Sequence, residues 1–312
     1  MAGDFCRYAV LYLFLCWEIR MRKTHFLTII FLLSFNLAFI VAPVAAHEEK
    51  QDNSWWWSDS WWNEGKITNS KNYDLKVEWS TYDSDGVEVP YMVVRPKKAG
   101  KFPAVFFQHG RRGFDVLIQR HAKRIAAQGF VVVAPDIYRA HFMGTHPIEH
   151  DYELEKDVNK GLDVLLARKD ISSKKACLYS HTRGGYYTLK VATRFKRQEN
   201  DVACYVSYYP HLQDPNAPEA LQVYGYAPEV DQMKIPMLVF IGDEEQYQRR
   251  RVIESGIKSL RSKGRDARLI IYPGVGRGFD FRPENVRTFA DDLASKDALQ
   301  RAAAFINKHL NK

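Results

Sequence analysis

Cysteine is scarce: four in 312 residues, of which Cys6 and Cys16 fall in the apolar first segment. A scaffold stapled by several disulfides is thereby excluded. No dinucleotide-type glycine fingerprint and no phosphate-binding loop ending in Gly-Lys-Ser/Thr follows any apolar run, so the nucleotide-binding folds lack their signature. Nucleic acid is not an expected partner either. The 45 basic residues outnumber the 37 acidic ones and leave a charge of +8, but they form no Lys/Arg run long enough to track a phosphate backbone. His, Cys, Asp and Glu show no metal-ligand spacing, no cofactor is expected, and no internal repeat is visible.

What the chain does have begins at its N-terminus. Arg22 and Lys23 precede an apolar run over residues 26–42, and Val44-Ala45-Ala46 then stand ahead of the polar His47-Glu48-Glu49-Lys50. This is the basic start, apolar middle and small-residue cleavage site of a secretory signal. Residues 1–46 are expected to be a signal peptide, with Met21 as an alternative start, and the protein is expected to be periplasmic or extracellular. An uncleaved membrane anchor is the alternative, because residues 26–43 approach the minimum length of a spanning helix. Cleavage leaves 266 residues (312 less 46), enough for one large α/β domain, with a charge of +6 once Arg7, Arg20, Arg22, Lys23, Asp4 and Glu18 are gone (8 − 4 + 2). The remaining Cys177 and Cys204 sit in apolar runs and are expected as buried free thiols, with a bridge between them as the alternative.

Residues 47–71 form a Trp-rich arm carrying Trp55, Trp56, Trp57, Trp61 and Trp62. Packing of the indoles on the domain is one reading; contact with a membrane or envelope component is another. From residue 72 to 312 the pattern alternates. Strands are expected at 74–82, 87–95, 103–109, 130–136, 176–182, 202–209, 237–243 and 267–272, and helices at 115–128, 150–168, 184–196, 247–263 and 290–309. Asp85-Gly86 between the first two strands signals a hairpin. A hairpin entry followed by strand-helix alternation predicts a mostly parallel eight-stranded sheet with helices on both faces and its site at the carboxyl ends of the strands.

Ser180-His181-Thr182-Arg183-Gly184-Gly185 lies between an apolar strand and a helix, where the nucleophile elbow Gly-x-Ser-x-Gly of the α/β-hydrolase fold stands. The stretches 102–110 and 126–138, Ile235 to Glu245, and Ile271-Tyr272-Pro273-Gly274-Val275-Gly276-Arg277-Gly278-Phe279 resemble the dienelactone hydrolase family over about residues 73–312. The resemblance implies an α/β-hydrolase domain acting on carboxylic esters or lactones. It places Thr182 at the nucleophile, Glu245 at the acid and Arg277 at the histidine, with Gly110, Arg111 and Arg183 supplying the oxyanion hole.

Two of these three catalytic positions hold unsuitable residues. A guanidinium stays protonated and has no lone pair, so Arg277 cannot serve as the base. Thr182 is β-branched where the elbow demands a positive φ. Lost or weak catalysis is therefore expected. His109, His181, His211 and His141 are candidates for a non-standard base in an active ester hydrolase. Arginines gather at the expected strand ends, namely Arg111, Arg112, Arg139, Arg183, Arg249 to Arg251, Arg277 and Arg282. They imply a small anionic ligand, with His109, Arg183 and Arg277 as its contacts. A third reading is an envelope-associated scaffold acting through the Trp-rich arm.

Overall fold

Apolar runs that do not alternate can be strands only if both of their faces are covered, and the sheet is organised around such runs. The computed structural model describes residues 58–68 and 70–311; the leader and Trp55, Trp56 and Trp57 lie outside the described residues. The elements in chain order are α1 (Asp59–Glu64), β1 (Leu75–Ser84), β2 (Val87–Pro96), β3 (Phe102–Gln108), α2 (Val116–Ala127), β4 (Val131–Pro135) and α3 (Ile137–Ala140). They continue with α4 (Leu154–Leu166), β5 (Ile171–His181), α5 (Gly184–Thr193), β6 (Val202–Tyr208), α6 (Glu219–Tyr224) and α7 (Glu229–Gln232). The last are β7 (Met237–Glu244), α8 (Tyr247–Ser262), β8 (Ala267–Gly276) and α9 (Phe289–Leu310).

All eight expected strands form one sheet, in the order β1-β2-β4-β3-β5-β6-β7-β8. β1–β2 and β2–β4 pair antiparallel and the remaining neighbours pair parallel. β4 is buried along its whole length, as Val131-Val132-Val133 requires. Helices α2 and α9 pack together against one face, while α4, α5, α7 and α8 form a contiguous second layer. The fold is thus the expected α/β-hydrolase fold. β5 starts five residues earlier than its apolar pattern suggests, because the polar Ser172–Lys175 stretch still runs beside β3: Ile171 pairs with Phe102, and Ser173 Oγ accepts from the Ala104 amide at 3.0 Å.

Trp61 and Trp62 are buried against α2, so neither is offered to a membrane. Their anchor is Arg124, whose Nη2 and Nε donate to the Trp62 carbonyl at 2.9 and 3.2 Å while its guanidinium lies 4.0 Å from the centre of the Trp62 ring. Arg287 covers the same indole at 3.1 Å. The tryptophans therefore supply apolar cover and π-faces for buried guanidinium groups.

The expectation of free thiols is corrected: Cys177 and Cys204 form a disulfide. They are direct partners in the β5–β6 register, 4.7 Å apart at Cα, a position that apolar patterning of single strands does not reveal. Because the bridge closes a loop 27 residues apart in sequence, the Cys177→Ala/Cys204→Ala variant should lose about 2–4 kcal/mol in urea unfolding. Thiol labelling of the denatured, unreduced protein should leave both residues unmodified; labelling of both would overturn the bridge.

Candidate functional site

β5 ends at His181, and Thr182 turns the chain into α5 with φ of +50°. This non-glycine strain, on the order of 1–3 kcal/mol, persists only where the surroundings over-determine it. They do so here. The Thr182 amide donates to Tyr208 O at 3.1 Å, and the Thr182 carbonyl accepts from the Gly185 and His211 amides at 3.0 and 2.8 Å. A Cβ on Gly110 would collide with the Thr182 hydroxyl, and one on Gly184 with Gln108 O, so glycine at both places lets the loop after β3 close on the elbow. Ser180 fits where the family motif has glycine, since its Oγ donates to Ser207 Oγ at 2.9 Å. The elbow is formed, with Gly110 against the Thr182 side chain and Arg111 beside it on the cleft.

Glu245 follows β7 and Arg277 follows β8, as the resemblance implies. Arg277 Nη1 donates to Glu245 Oε1 at 3.1 Å, and the guanidinium lies 5.1 Å from the centre of the Tyr209 ring. The arginine thus makes with the acid the contact a catalytic histidine would make. A cleft of about 310 Å³ opens above Thr182, lined also by Arg111, Arg112, His211, Arg249 and Arg277.

Two expected ligand contacts do not reach this cleft. His109 is fully buried, shares a hydrogen bond with Gly110 O at 2.9 Å and packs edge-on against Tyr138, so it belongs to the core. The Arg183 guanidinium donates to the carbonyls of Pro147, Ile148 and Glu149, tying down the loop beyond α3. Its Nη1 and Nη2 are thereby committed to the loop rather than to the cleft. Arg111 braces the same loop through His146 O and Pro147 O but keeps a face on the cleft. Sequence reasoning placed Arg249 among the strand-end arginines without singling it out. It stands in the first turn of α8, and its Nη1 is buried with no hydrogen-bond partner among the described residues.

Of the alternative bases, only His211 lines the cleft with Thr182. Burial, followed by the charges of Arg249, Arg277, Arg183 and Arg111, holds its imidazole well below the usual range, so it is neutral. Its Nδ1 and the Thr182 hydroxyl are both buried without partners. His141 is instead hydrogen-bonded to Asp157 at 2.6 Å.

His181 belongs to a network that the sequence did not suggest. Nε2 of His181 and Nε2 of His121 each lie 2.9 Å from Asp280 Oδ2, Tyr209 donates to Oδ1, and Arg124 Nη1 donates to Asp280 O at 2.7 Å. The three donor atoms of His121, His181 and Asp280 lie within 4.8 Å of one another, close enough to hold a cation. Both Nε2 atoms are already engaged with one oxygen, and a guanidinium sits on the same residue, so the group is satisfied through protons. Burial alone would raise the Asp280 carboxyl; His121 and His181 hold it far below its ordinary range.

Burial, reinforced by His121, pushes His181 down to about 4. As pH falls the unfolded chain therefore takes up this proton first. The stability that the neutral imidazole confers is complete above about pH 6.5 and is lost toward pH 4, about 3 kcal/mol over the whole window. Urea unfolding across that range should show the loss, and His181→Gln should flatten it in part. An unchanged slope in the variant would assign the acid sensitivity elsewhere.

Comparison with known proteins agrees with this architecture. The chain is similar to the probable 2-oxo-3-(5-oxofuran-2-ylidene)propanoate lactonase of a Bradyrhizobium species, at 21% identity over 246 residues covering 76% of this chain and 96% of that one. Among solved structures it is similar to brefeldin A esterase, described as a bacterial homologue of human hormone sensitive lipase, with a TM-score of 0.61, 16% identity and coverage of 80% and 81%. A dienelactone hydrolase-like promiscuous phosphotriesterase from metagenomic libraries superposes with a TM-score of 0.58 at 14% identity, covering 75% of this chain and 98% of that one. Residues 89–310 match the dienelactone hydrolase family, and the chain belongs to that family.

Proposed function

We propose that this chain is an exported hydrolase-fold protein that binds a small carboxylate or phosphate anion above Thr182, with ester hydrolysis lost or weak. The observation that carries the reading is the unmatched positive charge of the cleft. Of its four arginines, Arg277 is paired with Glu245 and Arg112 with Asp115. Among the described residues no carboxylate lies within ion-pair distance of Arg111 or Arg249, and burial lowers Arg249 to about 10. A half-buried cation with a buried, unpartnered N–H is costly unless something occupies it, and an anion answers both deficits. The intramolecular pair removes Arg277 from the role of principal ligand contact and passes that role to Arg249. The leader pattern and the Cys177–Cys204 disulfide both support an oxidising, extracytoplasmic compartment.

One observation favours turnover as a second reading: His211 and the Thr182 hydroxyl stand unpartnered in the same cleft. Against it, a base must accept a proton, and four guanidinium groups oppose the charge that His211 would acquire. Turnover through this pair requires that hydrolysis of a short activated ester be abolished by both Thr182→Ala and His211→Gln.

Isothermal titration with benzoate and with inorganic phosphate should detect binding that weakens as salt rises. Arg249→Gln should reduce affinity about tenfold or more without a marked change in melting. Full affinity in that variant would overturn the reading. Arg277→Gln should instead destabilise the fold by about 3–5 kcal/mol, because it strands the buried Glu245.

The retained elbow generates a further prediction. Thr182→Ser together with Arg277→His rebuilds a hydroxyl, an imidazole and the Glu245 acid in register, so the double variant should acquire measurable esterase activity. Each single change should do little, since nucleophile and base act as a unit. No activity in a folded double variant would mean that the oxyanion positions no longer serve a substrate.

A further inference from the structure

A second groove of about 470 Å³ adjoins the cleft, and Gln246 and Arg249 line both. The rest of its wall is mainly Gln213, Gln222, Gln248 and Glu219, with Val223 as its one apolar side chain. Gln213 is decisive: it is 2% exposed, yet its Oε1 has no hydrogen-bond partner among the described residues. A buried amide carbonyl left empty costs about 1–3 kcal/mol, and it calls for a donor from a ligand. Gln222 is fixed in place by its Nε2, which donates to Pro215 O and Ala217 O. Gln246 and Gln248 add two exposed amides to the wall.

Primary amides pair with hydroxyl groups as donor and acceptor at once. An aliphatic acid would leave Gln213 Oε1 without a donor. A peptide would find no apolar pocket for its side chains. We infer that the ligand is an acidic sugar, with its carboxylate at Arg249 and Arg111 and its hydroxyl groups along the glutamine groove. The inference rests on the anion reading given above and names the ligand class for that site.

Isothermal titration of the protein with glucuronate and galacturonate, set beside benzoate, octanoate, glucose and N-acetyldiglycine, tests it. The uronates should bind about tenfold or more tightly than benzoate or octanoate, and glucose should bind weakly if at all. Gln213→Leu and Gln248→Ala should each remove most of that advantage while leaving benzoate affinity unchanged; the exposed Gln248 keeps the test open should the Gln213 variant fail to fold. Equal affinity for uronates and simple carboxylates, tighter binding of octanoate or the capped peptide, or no effect of Gln248→Ala overturns the sugar inference and leaves the anion reading intact. Absence of binding by every anion overturns both.

Discussion

The Asp280 carboxylate is the interaction on which the site depends. It lies three residues beyond Arg277 and receives His181 from the end of β5, His121 from α2 and Tyr209 from the loop after β6. Its own carbonyl takes Arg124, which in turn holds the Trp62 carbonyl of the N-terminal arm. One buried residue therefore ties together the strand that ends in the elbow, the helix behind it, the loop carrying Arg277 and the arm outside them. Its charge is tolerated because every partner donates to it. Removing one donor would leave a buried anion short of compensation, a far larger loss than one hydrogen bond in water.

That network also explains how the scaffold kept its geometry while its reactive groups changed. An elbow residue at positive φ is held by backbone partners, none of which depends on the identity of the nucleophile. Threonine can thus occupy a conformation it disfavours. Arginine at the histidine position is accommodated by similar logic: Glu245 would orient an imidazole and equally neutralises a guanidinium, while Tyr209 presents its ring to the cation. What changes is the sign of the chemistry. A proton acceptor has become a permanent cation, and the neighbouring His211 is denied a proton by the same field.

The strands were legible because central parallel strands are written as unbroken apolar runs, and the elbow because strand, small residues and helix occur there in fixed order. Thr182, Glu245 and Arg277 were placed by position in that order; Thr182 and Arg277 line one cleft, and Glu245 is bonded to Arg277. The polar start of β5 was not legible, since backbone pairing with β3 leaves no apolar trace. His109 and Arg183 were misjudged for a different reason. Motif position places a Cα, whereas the direction of a long side chain is set by what lies beyond, here three loop carbonyls for Arg183 and a tyrosine edge for His109. The Cys177–Cys204 bridge and the Asp280 network join residues far apart in sequence; sheet register brings the cysteines together, and the packing of α2 and two loops around the end of β5 assembles the network.

Polar atoms without partners among the described residues occur at several places in the fold, and five of them stand at or behind the cleft and its neighbouring groove. Here Thr182 Oγ1, His211 Nδ1, Gln213 Oε1, Glu245 Oε2 and Arg249 Nη1 belong to two adjoining depressions and the wall behind them. A hydrolase that had lost its triad and its ligand together would be free to fill the space with apolar side chains, since buried polar groups without partners lower stability. This chain has instead retained a strained elbow, unmatched guanidinium groups and an empty amide carbonyl side by side. On the reading proposed above, an anion at the guanidinium groups and hydrogen-bond donors at the amide carbonyl would meet two of these costs, while the strain of the elbow is borne by its backbone partners.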